Sequence, residues 1–274
     1  MILIVVSKED HSNNDCLLVT VISFGEKGGI ISSADKSYNV KELWENFVGD
    51  NCKTLIGKPK LFFIQASRGT ILDYGVSLNP KHISLKKSNN GDEVNDQLKD
   101  LTIVIPGTAD LLIMYSTTDG HSSFRSGTDG SWFIQALCEE LKINQQDDLL
   151  TILTRVNKRV SYVKRSNTPG NAELNVGTQM ANIESTLTKS IFLKPDNSSI
   201  VSDFNYNFTN TKRGIALIFN HESFDDKSRR LGAKTDGVDL KAVLEGLKFD
   251  VMHYMDLKLH EIKKVLDEGK TFKI

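Results

Sequence analysis

Short, nearly continuous apolar runs alternate along this chain with longer stretches in which apolar residues recur every three to four positions. The runs at 16–23, 60–65, 110–116, 190–193, 214–219 and 250–254 predict β-strands, and the apolar start at residues 1–6 reads as a further strand. Helical spacing predicts helices over 40–51, 129–142, 147–163, 235–247 and 258–267. Asp129-Gly130-Ser131 supplies capping chemistry at the start of the second of these, and Leu137 and Leu141 continue its apolar face. Strands that alternate with helices call for an α/β sheet packed by helices. Polar stretches at 77–99 and 166–178 read as loops, and 196–212, rich in Asn, Ser and Thr, reads as a linker.

Composition adds mainly exclusions. A chain of 274 residues can hold one large domain or two small ones and can bury a sizeable core. A net charge of −1 gives no support for nucleic acid or an anionic membrane as partner. The apolar start at residues 1–6 is too short to span a bilayer. The three cysteines, Cys16, Cys52 and Cys138, stand at no metal-like spacing, so buried free thiols in a reducing, cytoplasmic setting are expected, with no metal and no cofactor.

The chemistry concentrates where the 60–65 run ends. Lys60-Leu61-Phe62-Phe63-Ile64 passes into the polar turn Gln65-Ala66-Ser67-Arg68-Gly69. This turn resembles the nucleophile motif of the caspases, cysteine proteases that cut after aspartate, with Ser67 where the cysteine belongs. Upstream, Ser23-Phe24-Gly25-Glu26 resembles the family's Ser-His-Gly-Glu, with Phe24 in place of the general-base histidine. The resemblance implies an oxyanion site built from the amides of Gly25 and Ser67. It also implies an aspartate pocket made by Arg230 in Arg-Leu-Gly-Ala, Gln65, and Arg125 in Ser123-Phe124-Arg125-Ser126, because guanidinium forks match a carboxylate. Trp132 and Phe124 would line the adjoining apolar subsites, although Phe124 stands where the family usually has tryptophan. His121, in a loop near the expected groove, is the one histidine to weigh as a substitute base, though a solvated loop histidine is its ordinary role.

The same resemblance covers nearly the whole chain, but in an unusual order. A caspase domain would begin at Lys212-Arg213-Gly214, run through Arg230 and 238–267, and only then continue into 7–69 and 109–195. The chain therefore resembles a circular permutant: one domain over 1–274, with the rear of the large part and its linker at 7–108, the small part at 109–195, a joining linker at 196–211 and the front of the large part at 212–268. The implied fold is a three-layer α/β sandwich, a six-stranded, mostly parallel sheet with helices on both faces. The linker between the large and small parts, 70–108, carries Asp92-Glu93-Val94-Asn95-Asp96, near to a caspase cleavage sequence and so a candidate for cutting at Asp96. The run at 190–193 would be the edge strand through which the family dimerises. The expected function is a pseudoprotease of the executioner type, insect-like, which regulates apoptotic caspases by homodimer or heterodimer formation or by binding aspartate-containing peptides. The alternatives are an aspartate-specific endopeptidase inactivated by substitution and an engineered permuted scaffold.

Overall fold

The computed structural model describes residues 6–75, 105–166, 177–194 and 203–266. Its centre is β1 (Leu17–Ile22), which pairs in parallel with β5 (Lys60–Gln65) on one side and β10 (Gly214–Asn220) on the other. β11 (Phe249–Met255) extends the sheet in parallel beyond β10, and β6 (Leu111–Tyr115) does so beyond β5. β9 (Asn182–Ser185) closes the far edge antiparallel to β6, which gives six strands in the order β11-β10-β1-β5-β6-β9. Every residue of β1, β5, β6 and β10 is buried, which is why these strands read as continuous apolar runs: a parallel sheet covered on both faces has no solvated side.

The pleat sends alternate residues into two separate cores. Leu18, Leu61, Phe63, Leu112 and Met114 pack under α1 (Trp132–Ile143), α2 (Leu149–Lys158) and α3 (Ala233–Gly246). Val19, Val21, Phe62, Ile64 and Phe219 face α4 (Leu259–Leu266) and a set of 3-10 turns. The α/β sheet packed by helices that the alternation predicts is therefore observed, in the three layers that the resemblance implies.

Several elements differ from expectation. The stretch 40–51 forms 3-10 turns at Val40–Leu43, Glu45–Phe47 and Gly49–Leu55 instead of one helix. A capping box between Asn39 and Glu42 starts the first turn, but Gly49 at φ +56° and the non-helical backbone of Cys52 break the run. The 147–163 helix is α2, capped by the Asp148 carboxylate on Leu150 N and Thr151 N, followed by a π turn at Arg159–Val163. At α1 the expected cap is absent: Ser131 donates its hydroxyl to Asp236 Oδ2 at 2.7 Å and makes no cap bond to its own helix.

The run 190–193 is not a sheet strand. Ser190 makes one bridge to Asn205, while Ile191 and Leu193 are buried in the core beneath the helices. The edge is held instead by the half-exposed Asn-Ile-Glu-Ser of β9, whose polar character hides it from an apolar search. Val6 lies in a turn at Val6–Lys8, and the rest of the predicted first strand, residues 1–5, falls outside the described residues, as do Asp96 and most of the 166–178 loop.

The described part of the joining linker is more than a spacer. Tyr206 and Phe208 are buried in the core, and Tyr206 donates its hydroxyl to Asp110 Oδ1 at 2.6 Å. Just beyond, the buried Arg213 meets Asp15 Oδ2 at 3.1 Å and Phe208 O at 2.8 Å, and Asn210 donates its amide to Asp15 as well. These contacts fasten the segment that leads into β10 against the turn that leads into β1.

Candidate active site

The C-terminal ends of β1, β5 and β10 point the same way, so the loops that leave them gather at one end of the sheet, the usual place for a site on an open parallel sheet. From β1 the chain continues through Ser23 and Phe24 into β2 (Gly25–Glu26), which pairs with β3 (Ile30–Ser32). From β5 it continues through Ala66 to Ser67. Ser23 N donates to Gln65 O at 2.9 Å, which fixes the two exits side by side. A Cβ on residue 25 would lie 2.5 Å from Ser67 O, so only glycine permits this approach. Ser116 clamps the second exit, accepting from Ala66 N at 3.2 Å and donating to Ala66 O at 2.9 Å.

Ser67 is half-buried. Its hydroxyl accepts from Ser123 N at 3.1 Å and lies 3.5 Å from Ser123 Oγ, which in turn accepts from Gln65 Nε2 at 3.1 Å. These described partners of the hydroxyl are both on Ser123, and neither is a base. Phe24 turns its ring against Phe224, with centroids 5.0 Å apart at 49°. His121 is committed elsewhere in its loop: its Nδ1 lies 3.1 Å from Thr118 Oγ1 and 3.0 Å from Asp119 O. The three cysteines are free and buried, as expected, and burial pushes the Cys138 thiol up to about 12.

Two of the three expected pocket residues, Arg125 and Arg230, lie near enough for one charge to act on the other. Arg125 lies on β7 (Arg125–Ser126), paired with β8 (Gly130–Ser131), and its guanidinium carbon is 5.2 Å from the centre of the Phe24 ring. Arg230 is 1% exposed and Gln65 2% exposed. Arg230 Nη2 lies 3.8 Å from Asp236 Oδ2, whereas Nη1, like Gln65 Oε1, has no hydrogen-bond partner among the described residues. Burial pushes the Arg230 guanidinium down to about 10; Asp236 opposes the fall and the nearby Arg125 adds to it. A buried donor or acceptor left without a partner costs about 1–3 kcal/mol, a charged one more. Arg230 Nη1 and Gln65 Oε1 both bear this cost, and Arg125 is near enough to act on the Arg230 charge. Phe124 stacks on Trp132 at 4.7 Å and 22°, forming an aromatic wall beside them, and its amide donates to Gln179 Oε1 at 2.6 Å.

Asp236 is the site residue that the sequence reading missed. Fully buried on α3, it accepts from Ser131 N and Oγ, both at 2.7 Å, and from Gln135 Nε2 at 3.3 Å, so it ties the Arg230 side of the pocket to the start of α1. A signal existed: Asp236 shares a helical face with the apolar Ala233, Leu240 and Val243, where a lone acid needs a buried partner.

His221, at the end of β10, is fully buried, and neither ring nitrogen has a partner among the described residues. Burial holds its pKa at about 4; Asp256 pulls it up slightly and Arg230 pushes it down. As pH falls below the ordinary histidine value of about 6.5, the unfolded chain takes up a proton that the folded chain refuses. The stability this site contributes is therefore complete above about pH 6.5 and is lost as pH drops toward about 4. The loss is on the order of 2–3 kcal/mol. Urea unfolding at pH 7 and pH 4.5 checks this. His221→Asn should lose distinctly less stability between the two than the parent, and an equal loss in both would refute it.

Comparison with known proteins gives this site a context. The model of the Caspase domain family matches residues 2–192 and 213–270. Caspase-1 of Spodoptera frugiperda is 42% identical over 181 residues, 66% of this chain and 56% of that protein. Caspase drICE of Drosophila melanogaster is 40% identical over 184 residues, 67% and 51% respectively, and Caspase-3 of Bos taurus 42% over 188 residues, 68% and 62%. The crystal structure of the Spodoptera caspase-1 superimposes with a TM-score of 0.59 at 40% identity, covering 69% of this chain and 68% of that one. The chain thus spans about half to three fifths of the length of these curated relatives.

Proposed function

The chain belongs to the Caspase domain family, and from that premise we propose that it is a pseudoprotease, which recognises aspartate-bearing peptides or an active caspase without cutting either. One observation carries this reading: the buried Arg230 and Gln65 keep unpartnered polar atoms and Arg125 is near enough to act on Arg230, while Phe24 and Ser67 stand where the family's motifs place the reacting groups. Acyl transfer needs a nucleophile, a group that takes and returns its proton, and donors for the oxyanion. The close approach of Gly25 to Ser67 suits the third requirement. For the first two, a phenyl ring accepts no proton, and a serine hydroxyl without a base has no thiolate-like form to attack with.

The domain is read as a single permuted unit, with 212–268 as its front, 7–108 and 109–195 following in space, and 196–211 bridging the ends. Support comes from the pairing of β10 with β1 and from the burial of Tyr206, Phe208 and Arg213 against the earlier segments. Cytoplasmic action and pairing with itself or with an active relative complete the proposal; no helix among the described residues is long and apolar enough to cross a membrane.

The test is a titration into an active executioner caspase, following hydrolysis of a fluorogenic aspartyl peptide. The expected result is no turnover by this chain alone and a dose-dependent change in the partner's rate. Turnover by this chain alone would overturn the pseudoprotease reading. Silence with an unmoved partner rate would favour a protease inactivated by substitution.

A further inference from the structure

We propose that Phe24 is a positioning residue, whose ring holds the Arg125 guanidinium over the aspartate pocket, so that the place of the missing base has become part of the binding apparatus; its ligand is the one named by the pseudoprotease reading.

Arg125 projects from a strand of two residues and is exposed. No hydrogen bond or ion pair holds its guanidinium among the described residues; its aromatic neighbour is the Phe24 ring, 5.2 Å from the guanidinium carbon. An arginine side chain left free loses considerable rotamer entropy when a ligand fixes it. This one also feels Arg230, a like charge close enough to lower the Arg230 pKa. The Asp236 carboxylate, which attracts both guanidinium groups, offsets this repulsion in part.

The aromatic face answers both problems. Its quadrupole attracts the cation without taking any of the five N–H donors, which stay available for a carboxylate. An acidic side chain in the same place would compete with the ligand, and a protonated histidine would add a third positive charge. Phe24 is itself braced: its ring packs on Phe224, which also meets the buried His221 ring at 6.0 Å.

Two measurements on the intact chain test the role. The first uses arginine labelled with ¹⁵N. The Arg125 Nε–H resonance should carry a ring-current shift that Phe24→Leu abolishes and Phe24→Tyr restores. The second is binding of a fluorescein-labelled tetrapeptide that ends in aspartate. Phe24→Leu should weaken it about 3- to 30-fold, Phe24→Tyr should rescue it, and Phe24→Leu should cost nothing further in an Arg125→Met background. An Arg125 resonance unmoved by Phe24→Leu overturns the positioning role. So does a binding penalty of the same size with and without Arg125. A parent chain that shows the ring-current shift but binds no aspartyl peptide overturns the pseudoprotease reading and leaves the positioning of Arg125 supported.

Discussion

Replacing Arg230 with methionine is expected to weaken binding of an aspartyl peptide by at least about 30-fold, since truncating one member of a buried charge pair costs about 2–5 kcal/mol. The guanidinium is almost wholly enclosed, with one terminal nitrogen engaged by Asp236 and the other left for a guest. Arg230→Lys should recover little, because a point charge cannot reproduce the fork that reaches two acceptors at once. Arg230→Met also leaves Asp236 buried without its cation. Burial already pushes that carboxyl up, against the pull of Arg230 and the donors from Ser131 and Gln135. Stability should therefore fall as well, by up to about 3–5 kcal/mol. Arg230→Met with Asp236→Asn separates the two effects: the double variant should regain most of the urea stability and none of the binding. If the methionine variant binds the peptide like the parent, Arg230 is a structural cation and the pocket lies elsewhere.

The second large effect concerns chemistry. Phe24→His and Ser67→Cys together are expected to raise hydrolysis of an aspartyl peptide at least about 1,000-fold over either change alone, because groups that act as one unit are grossly non-additive. A cysteine at residue 67 alone has its sulfur beside Ser123 and no proton acceptor among the described contacts of Ser67. A histidine at residue 24 alone faces a serine whose hydroxyl already accepts from the Ser123 amide. Only the pair makes a thiolate and an imidazolium. The Gly25 approach to Ser67 is already in place, so the restored pair would enter a formed site. Strong turnover from either single variant would contradict this account. Failure of the double variant would instead point to further defects, the Phe24–Phe224 packing first among them.

The sheet interior was legible from the chain alone, and for a plain reason. A parallel strand covered on both faces must be almost wholly apolar, so Lys60–Gln65 was predicted to the residue and the runs of β1, β6 and β10 to within a residue at each end. The two motifs that end β1 and β5 were legible as well, because a short turn leaving a buried strand tolerates few residue types. The resemblance they carry agrees with the match to the Caspase domain family.

Other features depended on how distant segments meet. Apolar residues mark burial and not geometry, so the core-packed loop at 190–193 looked like a strand, while the half-exposed β9 showed no signal. The 3-10 turns of 40–55 were hidden because a left-handed Gly49 interrupts a helical pattern without erasing it.

By itself, the sequence determined the interior strands of the sheet, the identity of the groups at the ends of β1 and β5, and the absence there of a thiol and an imidazole, because these are properties of residue type and local spacing. Only the tertiary structure decided that Asp236 holds Arg230, that Arg230 and Gln65 are buried with polar atoms left unpartnered, and that the Phe24 ring lies against Arg125. Those facts are distances between groups far apart in the chain, and no local pattern encodes a distance that packing alone creates.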